Sequence, residues 1–295
     1  MIVFSEASIQ TPRTLSEQDN NDITQAAKLA GCTVYYIPSD FSVCENAENA
    51  LCYVPEQDVE TTAIWIGFIP SAERYKAIYD EALRKNIRLI NDPEQHLIAQ
   101  EFDRAYPLLV GITPESASLS TPEECVSAAE KLGYPVFIRG SVRSRKSDGW
   151  SASVANTPED LKKIVEGFFK SEYQSRGRVI VRELVKLRHS RYSDKGFPLG
   201  REYRVFLYND RVVGYGYYWE GSDPLKNLPS AEETAVLELA REASQRLKVP
   251  FIAVDIGQKE DENWIVIEVN DAQFAGTSQI PTLPLWNAIL SAGND

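Results

Sequence analysis

The chain has 295 residues, 43% of them hydrophobic and 25% charged, with a formal net charge of −12. That length accommodates one large domain or two to three smaller ones around a sizeable core. The acidic balance argues against partners that need a basic face, such as nucleic acid or an anionic membrane.

The first 92 residues alternate between strand and helix signals, which predicts a small doubly wound α/β domain. "MIVFS" is a short strand, "DITQAAKLAG" has helical spacing with a terminal Gly, and "CTVYYIP" is a strand closed by Pro38. Residues 38–60 read as loop. "TTAIWIGF" is apolar on both faces, as buried parallel strands are. "SAERYKAIYDEALRKN" is an amphipathic helix capped by Ser71, and "IRLIN" is a further strand. No G-x-G-x-x-G occurs, so this domain carries no dinucleotide motif.

A helix from Pro93 to Ala105 is expected to link this domain to residues 93–295. Thr121, Pro122 and Glu124 then open a helix with a capping box, which leads into the strand "YPVFIRG". A second capped helix follows at "TPEDLKKIVEGFFKS". Strands come next at "RVIVRELVKL", "REYRVFLYNDRVVGYGYYW", "PFIAVDIGQ" and "NWIVIEVN", with Asn209-Asp210 as a hairpin turn and a long amphipathic helix from Ala231.

The last two strands carry a pattern of chemical interest. Side chains alternate across a strand, so Trp264, Val266, Glu268 and Asn270 should share one face. A symmetric hairpin register sets Asp255 opposite Val266 and diagonal to Glu268. Three oxygen donors, Asp255, Glu268 and Asn270, would then converge, a set that suits Mg²⁺. A strand end simply emerging into solvent is the plainer alternative. Basic residues concentrate elsewhere: Arg139, Arg143, Arg145 and Lys146 lie within eight positions, and Arg204 sits inside an apolar strand. An anion such as phosphate would satisfy them, whereas one internal salt bridge explains only one of them. Arg182 and Glu183 end the strand "VIVRELV", where a hinge whose backbone reads a base edge is conceivable.

Other features predict no chemistry. Arg188, His189, Arg191 and Lys195 read as solvated loop, and His96 as helix surface. Cys32, Cys44, Cys52 and Cys125 lack C-x-x-C spacing, so reduced, buried thiols of a cytoplasmic protein are expected. The N-terminus lacks signal-peptide character, and no run reaches the ~18 apolar residues of a membrane helix. No Ser-His-Asp, H-E-x-x-H or Walker A pattern occurs.

The order of these features resembles the ATP-grasp fold. "TPESASLSTPEECVSAAEKLGYPVFIRGSVRSRKSDGWSASV" is similar to its lid, "VIVRELV" to its hinge strand, "REYRVFLYNDRVV" to the strand with a phosphate-contacting Arg, and "AVDIGQ…IVIEVND" to its metal-binding pair. The likeness covers about residues 93–295, with a lid near 110–185 and a base near 186–295, after an α/β domain like the one that commonly precedes it. Most of the family carry Lys where this chain has Arg139. That departure resembles a divergent clade that includes the eukaryotic assembly factor for translation initiation factor 2.

The resemblance implies that ATP lies between lid and base. Arg139 and Lys146 would hold phosphates, with Arg145 as the alternative to Lys146, and Arg182 would stand beside the nucleotide. Glu183 with the Leu184–Val185 backbone would read adenine. Asp255, Glu268 and Asn270 would hold one or two Mg²⁺, and Arg204 would stabilise the transferred phosphoryl group. The loop 141–149 would act as a lid. A ligase joining a carboxylate of a small molecule or peptide to an amine, through an acyl phosphate, is the implied activity. Two other readings stay open: an ATP-binding assembly chaperone with little turnover, and a nucleic-acid ligase using Lys146-Ser147-Asp148-Gly149 as a K-x-D-G nucleophile motif.

Overall fold

A computed structural model describes residues 1–8 and 11–293. Four parallel strands, β1 (Ile2–Ser5), β2 (Thr33–Tyr36), β3 (Thr61–Ile66) and β4 (Ile87–Leu89), form an N-terminal sheet in the order β2-β1-β3-β4. β3 is buried from Ala63 to Ile66, as its unbroken apolar run requires. The predicted loop 38–60 contains one short helix, Ala47–Ala50, capped by Asn46.

A second sheet is antiparallel: β5 (Ser116–Leu119), β6 (Val136–Gly140), β7 (Val154–Ala155) and β8 (Val179–Glu183), in the order β5-β8-β6-β7. Its helices Pro122–Leu132 and Pro158–Phe169 start where the sequence signals them. Thr121 and Glu124 form the capping box, and the Thr157 side chain accepts from Asp160 N. A two-stranded ribbon, β9 (His189–Tyr192) and β10 (Pro198–Gly200), follows. His189 and Arg191 are therefore strand residues rather than open loop. Arg191 pairs with the buried Asp223 at 2.8 Å, which folds the segment onto the protein.

The third sheet is antiparallel too: β11 (Glu202–Tyr208), β12 (Arg211–Tyr217), β13 (Phe251–Gln258) and β14 (Trp264–Asp271), in the order β12-β11-β13-β14. Asn209 and Asp210 both take positive φ, as a tight two-residue hairpin demands. One face of this sheet is apolar throughout. Val205, Val254, Ile256, Val266 and Val269 pack there against Val236, Ala240 and Leu247 of the helix Ser230–Leu247. The other face is divided. At one end Phe206 and Ala253 join Val3, Ile64, Trp286 and Ile289 in a core shared with the N-terminal sheet. At the other end stand Glu202, Arg204 and Asp255.

The expected helix 93–105 is broken. Pro93–Gln100 ends at Glu101, whose backbone is extended, and Phe102–Leu109 begins afresh. The Phe102 amide donates to Ser141 O, so its hydrogen bond goes to the second sheet's loop instead of the preceding turn. His96, expected on the surface, is fully buried because this helix is wedged between two sheets. Its ring stacks on Tyr75 at 4.0 Å, and Nδ1 meets Asp271 Oδ2 at 2.8 Å. All four cysteines are free, but only Cys32 and Cys125 are buried, while Cys44 is half-buried and Cys52 exposed. No helix among the described residues is long and apolar enough to cross a membrane.

Asn91 binds the N-terminal sheet to the third sheet. Its Nδ2 donates to Phe251 O and to Asp271 Oδ1, both at 2.8 Å, and its Oδ1 accepts from Phe251 N at 2.9 Å. Asn91→Ala strands all three groups in a buried place, so it should lower stability by about 3 kcal/mol. A urea midpoint that stays put would show that water reaches this junction.

Candidate active site

A cavity of about 350 Å³ opens where the second sheet, the ribbon and the third sheet meet. Arg139, Lys146, Arg182, Glu183, Leu184, Val185 and Glu268 all line it. Phe137, Trp150, Phe197 and Ile267 supply apolar wall. Trp150 and Phe197 lie 6.0 Å apart, one from the loop after β6 and one from the ribbon. Gly149 in that loop has φ +102°, and a Cβ there would lie 2.6 Å from Lys195 O, so the loop is pressed onto the ribbon.

Arg204, Asp255 and Asn270 stand beside the cavity on the charged end of the third sheet. Arg204 and Asp255 are direct cross-strand partners, bound bidentately at 2.7 and 2.8 Å. Arg204 also donates to Gly276 O and lies 4.8 Å over the Tyr218 ring. A guanidinium carries five N–H groups, so donors remain for a ligand after these bonds.

The expected hairpin register needs correction. Asp255 lies directly opposite Glu268, not opposite Val266, because a bulge falls between the Asp255–Glu268 and Ile256–Val266 pairs. Val266 therefore packs in the apolar core beside Val269, while Glu268 and Asn270 share the face of Asp255. The three oxygen donors do share a face, by a route alternation alone does not predict.

Glu268 is held by Arg139 at 2.7 Å. Burial acts to raise its carboxyl, yet Arg139, Lys146 and Arg204 together hold it below the usual carboxylate range. Burial pushes Asp255 up despite Arg204. Glu202, 1% exposed, is also pushed up by burial, and its Oε2 has no hydrogen-bond partner among the described residues. Lys146 Nζ lies 3.7 Å from that oxygen. Burial works against the Lys146 charge, but Glu202, Tyr218, Glu268 and Asp255 outweigh it and raise its pKa.

Lys146 and not Arg145 faces the cavity. Arg145 turns to the helices of the second sheet, donating to Gln174 Oε1 and Gly167 O. Arg182 differs from the other cations. Its guanidinium donates to Ile267 O at 2.7 Å and to Thr113 Oγ1 at 2.6 Å, and burial with the nearby Arg139 charge lowers its pKa. Residues not singled out from the sequence complete the site. Phe102 lies 5.2 Å from the Arg139 guanidinium and 4.9 Å from that of Arg182. Glu202 has a signal in the sequence, two positions before Arg204 on one strand face; Phe102 has none.

Among the described residues no three His, Cys, Asp or Glu side chains gather into a metal-binding group. What the sheet offers is two opposed carboxylates and a carboxamide, an all-oxygen set that fits a hard divalent cation with most of its shell left to other ligands. The flanking Lys146, Arg139 and Arg204 suit the anion that such a cation accompanies.

A family model described as an ATP-grasp domain, clade family 3, matches residues 130–289. Solved structures share the fold at low identity. The RimK domain protein ATP-grasp from Sphaerobacter thermophilus DSM 20745 has a TM-score of 0.63 at 13% identity, covering 99% of this chain and 98% of that one. The D-alanine–D-alanine ligase from Bacillus anthracis complexed with ATP has 0.66 at 14%, covering 99% and 96%. The ATP-grasp ligase PsnB complexed with minimal precursor, Mg and ADP has 0.56 at 14%, covering 100% and 98%. No curated protein matches the chain in sequence.

Glu268 offers a pH test. An ordinary Glu titrates near ~4.3, so the stability its ion pair contributes is full above that pH and is lost as pH falls through the lower folded value. Glu268→Gln should cost about 3 kcal/mol near pH 6, and the gap to wild type should close towards pH 3. A gap that is flat with pH would mean Glu268 is not ionised in the folded protein.

Proposed function

Because this chain belongs to the ATP-grasp family, we propose that it is a Mg-ATP-dependent ligase joining a carboxylate to an amine. The observation that carries this reading is the meeting of Arg139, Lys146 and Glu268 in one cavity, beside the Arg204–Asp255 pair. Cation holders and anion holders face each other there, as a magnesium nucleotide requires.

Arg139 and Lys146 hold the α- and β-phosphates. The hinge residues Glu183, Leu184 and Val185 line the cavity where adenine would stack, with Phe137 and Ile267 as apolar wall. Asp255, Glu268 and Asn270 hold one or two Mg²⁺, which neutralise charge between the β- and γ-phosphates. In the ligand-free arrangement Arg139 occupies Glu268. On nucleotide binding Arg139 exchanges that carboxylate for phosphate and frees Glu268. Arg204, fixed by Asp255, directs its remaining N–H groups at the transferred phosphoryl. A substrate carboxylate oxygen attacks Pγ as the bond to ADP breaks. The amine nitrogen then attacks the acyl carbon, phosphate leaves with the bonding pair, and the nitrogen loses a proton.

An amino acid or peptide would supply the two groups. The RimK, D-alanine ligase and PsnB likenesses agree with such a substrate class. Free thiols and a need for ATP fit a cytoplasmic setting.

The test is ADP release from Mg-ATP across a panel of amino acids and short peptides. Release that requires both a carboxylate and an amine is the expected result. Slow release indifferent to both would favour an assembly module, and pyrophosphate release would indicate adenylyl transfer through Lys146. Arg204→Lys should lower kcat by about 100-fold with KM for ATP changed far less, since its contact is made to developing charge. Equal losses in both would reduce Arg204 to a ground-state binder.

A further inference from the structure

The bulge in β14 poses a question of register. From the turn, Gln258 pairs with Trp264, Gly257 with Ile265 and Ile256 with Val266. Continued without interruption, that register would set Ile267 opposite Asp255 and Glu268 opposite Val254. Val254 is fully buried in the apolar core under the helix Ser230–Leu247. A one-residue slip turns every side chain to the other face. Glu268 reaches the charged face only because Ile267 is an extra residue in the strand.

Two consecutive residues, Ile267 and Glu268, consequently line the same cavity. The Ile267 side chain lies over Gly257, where an added Cβ would sit 3.0 Å from its Cγ1. A bulge leaves backbone groups outside the ladder, and β14 is an edge strand whose outer carbonyls have no neighbouring strand. Those carbonyls are met by side chains from outside the third sheet. Arg182 Nη1 donates to Ile267 O at 2.7 Å, and Nη2 reaches Val266 O at 3.4 Å. Thr113 Oγ1 donates to Val266 O at 2.9 Å and accepts from Arg182 Nη2 at 2.6 Å. Arg182 is 4% exposed and comes from β8 of the second sheet.

We propose that Arg182 is a positioning residue which, with Thr113, holds the β14 bulge so that Glu268 faces Asp255. This rests on the metal-nucleotide reading above for its consequence, but not for its geometry. Its guanidinium fork spans two carbonyls and a hydroxyl at once, a reach that the single ammonium of Lys lacks. Because Arg182 belongs to the second sheet, metal-site geometry and the seating of that sheet are one property. Moving β8 away from β14 withdraws the donors that keep the bulge.

The test uses the full-length protein with Arg182→Lys and, should that variant fail to fold, Thr113→Val. Two readouts are taken: hydrogen exchange of the 264–271 backbone without ligand, and thermal shift by ADP titrated with Mg²⁺ or held in EDTA. The expected result is faster exchange across 264–271 and at least about 10-fold more Mg²⁺ for the half-maximal shift, with the EDTA shift little changed. Unchanged exchange overturns the proposal. So does a loss of the EDTA shift with unaltered Mg²⁺ dependence, which would make Arg182 a direct nucleotide contact. A uniform fall in Tm without either change would make it ordinary core. If wild type shows no shift with Mg-ADP, the ligase reading fails, and the exchange arm alone still decides whether Arg182 holds the bulge.

Discussion

Two carboxylates facing each other across neighbouring strands are the constraint around which this site is built. Asp255 and Glu268 are direct cross-strand partners in a largely buried place. Like charges so placed repel, and desolvation adds to the cost. The fold answers with one guanidinium on each side. Arg204 takes both oxygens of Asp255, and Arg139 comes from another sheet to take Glu268. Lys146 stands behind, near Glu202. The row Arg204, Asp255, Glu268, Arg139 therefore has its two carboxylates flanked by its two guanidiniums. The row is balanced, and each member is also available to a ligand of opposite sign.

This arrangement uses the third sheet asymmetrically. One face is apolar from end to end, which seats the strands against the helix Ser230–Leu247. The other face changes from Phe206 and Ala253 to Arg204 and Asp255 within two residues on each strand. The apolar half is covered by the N-terminal sheet and the charged half by the second sheet. Chemistry is placed at the line where one cover gives way to the other.

Much of this is legible in the amino-acid order. Apolar, β-branched runs mark β3, β6, β13 and β14, and Thr121 with Glu124 fixes one helix start to the residue. Arg139 and Arg204 are conspicuous as charges inside apolar strands. What the order does not reveal is anything decided by a contact far away in sequence. The Ile267 bulge depends on donors from Thr113 and Arg182. The break at Glu101 depends on Ser141 O accepting from Phe102. His96 looks like a surface residue on helical spacing until Tyr75 and Asp271 enclose it. Local pattern names the elements; the sheets that press on them decide the rest.

The junction at Asn91, His96 and Gln273 bears on how this chain can be divided. Trp65 N donates to Gln273 Oε1, and Gln273 donates to Tyr75 Oη, so the N-terminal sheet grips the segment that follows Asn270. A gene fragment limited to the recognisable C-terminal module would bring Phe206, Ile280 and Trp286 to water and leave Asp271 without His96 and Asn91. The module is thus not a transferable cassette. Recombination that swaps the leading domain has to carry a matching footprint on both sides of this seam.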